Sequence, residues 1–112
     1  MNPDAVWRAR GTIIEFSPNG GMTFSQVHTA SQVIAGGVVA EGDAVWFFAR
    51  NGLIVRSSLS GWIESFAPQG SQIVSLQATN ATNASIVLLD GSTLVTRDGG
   101  VTWTRQEATQ KP

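Results

Sequence analysis

Three aromatic residues, Phe24, Trp62 and Trp103, each begin an apolar stretch directly after a turn, and they stand 38 and 41 residues apart. Two further apolar stretches precede each one. Val6-Trp7 and Ile13-Ile14 lead to Phe24, Val45-Trp46-Phe47-Phe48 and Leu53-Ile54-Val55 lead to Trp62, and Ile86-Val87-Leu88-Leu89 and Leu94-Val95 lead to Trp103. A unit of four short strands in about 40 residues has the span of one propeller blade. Such a unit buries its faces only against neighbouring units, so the spacing constrains the chain to a stacked, all-β array.

Local patterning points the same way. No window sustains an i, i+3, i+4, i+7 apolar series, and turn residues punctuate the chain at Asn51-Gly52, Asp90-Gly91 and Asp98-Gly99-Gly100. Strands are expected at 5–10, 12–16, 23–28, 32–40, 44–50, 53–57, 61–66, 73–79, 85–89, 93–96 and 102–106, joined as antiparallel meanders by short polar turns. The expected fold is one partial β-propeller over residues 1–112, with blades at 5–30, 31–70 and 71–107. Its first blade has three strands, because nothing before Ala5 can serve as the innermost one. With 42% hydrophobic and 13% charged residues, a chain of 112 residues has enough apolar surface for one compact domain.

The turn before Trp103 carries the most specific signal. Thr96, Asp98, Gly100, Thr102 and Trp103 match the Asp-box pattern Ser/Thr-x-Asp-x-Gly-x-Thr-Trp/Phe at all five specified positions. Ser17, Asn19, Gly21, Thr23 and Phe24 form a second copy with Asn for Asp, and residues 57–62 read as a shortened copy in which Leu59 takes the acidic position. These residue types suit a self-contained turn. The Asp or Asn side chain accepts main-chain hydrogen bonds, the Gly takes a positive φ without steric cost, and the aromatic ring packs beneath the loop. The box residues are therefore expected to be structural.

Several chemistries are excluded by composition. There is no Cys and only one His, His28, so the chain offers no disulfide, thiolate nucleophile or multi-histidine metal site, and no cofactor is expected. Seven Lys plus Arg against eight Asp plus Glu leave no basic footprint for nucleic acid, and the longest apolar run, 33–40, is too short to insert into a membrane. Sialidases also carry Asp boxes, but they use an arginine triad with a Tyr nucleophile, and this chain has no Tyr. The carboxylate pairs Glu15 with Glu64 and Glu41 with Asp43 lie in no catalytic context, Gly36-Gly37 and Gly99-Gly100 read as β punctuation, and His28 reads as a packing residue. No enzymatic activity is expected.

With those motifs in place, the sequence resembles the Asp-box (BNR repeat) propellers, and within them the photosystem II assembly and stability factor-like family. The resemblance is strongest from Ala44 to Arg105, through the aromatic strand at 46–50, the Gly turn at 51–52, the apolar-Arg-Ser strand at 53–57 and the inner strand at 73–80. It implies a propeller used as a rigid platform for protein partners, often in an extracytoplasmic compartment.

The expected function is therefore a non-enzymatic interaction or assembly scaffold, with a carbohydrate-binding, lectin-like propeller as the alternative. Trp62 and Trp103 are accounted for by the repeat, which leaves Trp7, Trp46 and Arg50 as candidate ligand or interface residues. Closed propellers have about four to eight blades, so three fall short. A head-to-tail homodimer closes a six-bladed ring by placing Val6-Trp7 and Ile13-Ile14 of one copy on residues 86–89 of the other, and the competing explanation is a fragment of a larger propeller or one completed by a different protein. The tail 107–112 is polar, ends in Pro and makes a poor inner strand for the first blade.

Overall fold

The computed structural model describes residues 4–40, 44–58, 61–68 and 72–106, which form three antiparallel sheets. The first contains β1 (Val6–Arg10), β2 (Ile13–Ser17) and β3 (Ser25–Thr29). The second contains β4 (Gly36–Val39), β5 (Val45–Phe48), β6 (Leu53–Ser58) and β7 (Gly61–Phe66), and the third β8 (Ile73–Ala78), β9 (Ala84–Leu88), β10 (Thr93–Thr96) and β11 (Thr104–Arg105). Within each sheet the strands lie in chain order, as in a propeller blade. The fold is all-β, and the first blade has no strand inside β1 among the described residues. An arc of 49 × 26 × 23 Å results.

Burial explains why the middle blade is so apolar. Val45, Phe47, Leu53 and Val55 face the first blade and pack with Ile14, Ala30 and Ala49, while Trp46, Phe48 and Ile54 face the third and pack with Ile73, Leu76, Ile86 and Leu94. A sheet covered on both faces has no polar alternation to keep, hence the unbroken runs at 45–48 and 53–55. The outer blades, covered on one face, alternate instead: β10 reads half-buried, buried, half-buried, buried. Each fully buried Leu, Ile, Val or Phe contributes about 1.5–3 kcal/mol, so two inter-blade cores carry most of the stability. Gly37 belongs to this packing, because a Cβ there would stand 2.6 Å from both the Trp46 carbonyl oxygen and the Phe47 ring.

Three local expectations change. The inner strand β4 covers only Gly36–Val39 of the expected 32–40, because the preceding residues cross from the first blade: Ile34 N–H donates to the Gly11 carbonyl at 2.9 Å, and bonding to β5 begins with Ala35 N–H on the Phe48 carbonyl at 2.8 Å. β11 shrinks to Thr104–Arg105 because the N–H of Thr102 is drawn into the box turn. At the shortened box, β6 and β7 pair continuously as far as Ser58 opposite Gly61, and the Ser57 hydroxyl accepts the Val45 N–H at 2.9 Å. Leu59, Glu41, Asp43 and the tail 107–112 lie outside the described residues.

The ends of the arc are mixed in character where apolar faces are expected for a dimer. Ile14 and Ile86 are buried in the chain's own inter-blade cores and are not available to a second copy, while Trp7 packs half-buried on the first of those cores. The first blade's outer face instead carries Arg8, paired with Glu15 at 2.5 Å and stacked 3.7 Å over the Phe24 ring. On the third blade Ser85, Val87, Thr93 and Val95 alternate with the inward residues and point away.

Candidate functional site

The two full boxes share one hydrogen-bond pattern. Gly100 N–H donates to Thr96 Oγ1 at 2.9 Å, Thr96 Oγ1 donates to Asp98 Oδ1 at 2.7 Å, and Thr102 N–H donates to the same Oδ1 at 2.9 Å. In the first blade Gly21 N–H donates to Ser17 Oγ at 2.9 Å, Ser17 Oγ to Asn19 Oδ1 at 2.7 Å, and Thr23 N–H to Asn19 Oδ1 at 3.0 Å. Gly21 and Gly100 hold φ of +97° and +93°, a region that side chains with a Cβ rarely adopt. Hydrogen bonds from the Thr102 hydroxyl, its N–H and the Thr96 hydroxyl pull the Asp98 carboxyl down to about 2. Both boxes thus spend their polar groups on their own turns.

Each box aromatic faces backward around the arc. Trp103 packs on the core between the second and third blades, and Trp62 on the core between the first and second. Phe24 has no blade behind it among the described residues and is covered by Arg8 instead. Around Trp62 gather His28, stacked at 5.5 Å, Trp7 edge-on at 5.7 Å and Phe47 at 6.3 Å. His28 Nε2 lies 2.6 Å from Glu64 Oε2, and Ser31 donates to Glu64 Oε1 at 2.9 Å, closing the seam between the two blades. Partial burial raises the Glu64 carboxyl, but the hydrogen bonds from His28 and Ser31 outweigh it and hold the group below its ordinary value.

The three candidate interface residues part company. Trp46 is fully buried, its indole N–H donating to the Asn80 carbonyl at 2.9 Å, so it is not open to a ligand. Arg50 is exposed beside a hollow of about 420 Å³ together with Gln32, Val33 and Asn51. Trp7 lines a larger groove of about 510 Å³, between β1 and the inner strand β4, with Ala9, Gly37, Val39 and Phe47. Sequence reasoning passed over that groove, since Gly36-Gly37 looked like punctuation. It also missed Arg56, whose Nε donates to the Gly99 carbonyl at 3.1 Å and ties the middle blade to the third box. A lone Arg in an apolar strand, Leu53-Ile-Val-Arg56, was the available signal.

The first carboxylate pair is split between two separate contacts: Glu15 is held by Arg8 in the first blade and Glu64 by His28 in the seam. No group of three His or acidic side chains gathers at metal-binding distance among the described residues.

No protein-family model and no curated protein matches the chain. Solved structures do. YCF48 from Cyanidioschyzon merolae aligns over 93% of this chain and 36% of that one, with a TM-score of 0.76 and 19% identity. YCF48 bound to D1 peptide aligns over 94% of this chain and 50% of that one, with a TM-score of 0.58 and 12% identity. The chain therefore spans half or less of the structures it matches. By fold, this chain is a three-bladed arc matching part of the YCF48 β-propeller.

Proposed function

We propose that the chain is a non-enzymatic protein-binding module whose blades form a rigid platform. The observation that carries this reading is the groove along β1, where apolar side chains and an open strand edge stand together on a scaffold whose polar motif residues are already engaged. The likeness to YCF48, one structure of which holds a D1 peptide, supports a peptide or protein ligand. A lectin-like role draws less support, because Trp46 is buried and the rings of Trp7 and Trp62 are packed on each other. Ring completion falls to further blades, whether from more of the same polypeptide, a second copy or another protein.

The test is a pair of titrations on the purified chain, one with the D1 peptide and a panel of extended peptides, the other on a glycan array. Saturable peptide binding with a flat glycan array supports the proposal, and the reverse outcome overturns it. Light scattering at micromolar concentration reads the assembly: the dimer mass supports self-completion, and the monomer mass overturns it.

A further inference from the structure

We infer that the edge of β1 is a strand-acceptor site, taking an extended, uncharged peptide segment with apolar residues at alternate positions as the fourth, innermost strand of the first blade. This rests on the protein-binding reading and gives the partner its form. The same position is filled in the other blades by β4 and β8, each antiparallel to the strand that follows it. In the first blade β1 pairs with β2 alone among the described strands.

The backbone of β1 can be read from its turn. Arg10 and Ile13 stand opposite each other across the two residues Gly11 and Thr12. In a hairpin of that length the flanking pair exchanges both ladder bonds and the pattern then alternates. Val6, Arg8 and Arg10 accordingly bond to β2, while the N–H and C=O groups of Trp7 and Ala9 point into the groove. An added strand gains affinity from such main-chain groups and specificity from alternate side chains.

The opposite wall is equally incomplete. Val38 on one face of β4 is covered by the third blade, where β8 packs against β4. Gly37 and Val39, on the face toward the first blade, are exposed, and Val39 is 44% accessible despite being a large apolar residue on an inner strand. The groove is continuous with the core between the first two blades, since Val45 and Phe47 belong to both. Among the described residues Arg8 is the only charged one lining it, and it is engaged by Glu15 and Phe24 on the other face of β1. An occupant thus meets main-chain hydrogen-bonding groups, a Gly that allows close approach and a Val to pack on, with no uncommitted charge among the described residues. β8 itself, Ile73-Val-Ser-Leu-Gln-Ala78, is uncharged and carries apolar residues at the alternate positions 74, 76 and 78.

The experiment uses the full chain and a synthetic peptide of residues 73–80, together with two versions N-methylated on one or the other alternate set of residues. Amide exchange should slow at Trp7 and Ala9 by about tenfold or more on saturation, one methylated peptide should bind and the other fail, and Val39→Lys should weaken binding by about tenfold without lowering the melting temperature. Unchanged exchange at Trp7 and Ala9, or equal binding by both methylated peptides, overturns the inference. Binding that survives Val39→Lys and protects a different strand overturns the site while leaving the protein-binding reading intact. Failure of this peptide and of the whole peptide panel overturns both. Trp7 and Ala9 amides already protected in a peptide-free dimer would make the occupant a second copy and overturn the separate peptide.

Discussion

Asp98 and Thr102 are joined twice: the Thr102 N–H donates to Oδ1 at 2.9 Å and its hydroxyl donates to Oδ2 at 2.5 Å. The equivalent contact in the first blade runs backward, with Asn19 Nδ2 donating to Thr23 Oγ1 at 2.8 Å. One box is therefore ionisable and the other is not.

This difference gives the third blade its own acid sensitivity. The Asp98 carboxyl is depressed from 3.8 to about 2 on folding, so its contribution is fully present above the ordinary value and is lost as the pH falls through about 2. Asp98→Asn, which copies the first box, should melt below the wild type at neutral pH, and the gap should close toward pH 2. Melting temperatures across that range check it, and a gap that stays constant contradicts it.

The buried hydroxyls of the boxes should be equivalent. Ser17 and Thr96 are almost wholly inaccessible, and each accepts the N–H of the box Gly. Ser17→Ala and Thr96→Val each leave that N–H unpartnered and should cost about 1–3 kcal/mol in urea denaturation. A cost confined to one of the two would mean that the copies are not energetically alike.

How much of this was legible in the sequence follows from where each residue's partners lie. The boxes could be read because every partner of Asp98 sits within four residues of it, and the blades because apolar stretches recur at a fixed spacing. Trp46 was misjudged as free because its cover, Asn80 and the third blade's core, comes from residues 27 or more positions away. The end faces were misjudged for the same reason: strand alternation gives two faces to Trp7 and Ile86 but not which one meets the neighbouring blade. The groove along β1 needed three dimensions, since β4 reaches it only after the chain has turned into the second blade.

Gly37 should resist even the smallest side chain. A Cβ there falls 2.6 Å from a main-chain oxygen as well as from the Phe47 ring, so rotamer changes alone cannot relieve it. Gly37→Ala should destabilise by about 1–3 kcal/mol, and an unchanged denaturation midpoint would show that β4 shifts freely.

The seam between the first two blades should weaken modestly without Glu64. Glu64→Gln removes the charge that His28 and Ser31 engage, at side-chain exposures of 25% for Glu64 and 21% for His28. A loss of about 0.5–1 kcal/mol is expected, with a change in tryptophan emission because His28 stacks on Trp62. Unaltered emission would place the His28–Glu64 contact outside the packing of the seam.

The middle blade lends residues to both cores, Phe47 to one and Trp46 to the other, from neighbouring positions on the same strand. Neither outer blade can detach without stripping one side of β5, and β5 cannot reorganise for one neighbour without moving against the other. Melting is thereby coupled along the arc: damage at either core propagates through one four-residue strand, and the chain should lose its structure in a single transition instead of shedding blades in turn.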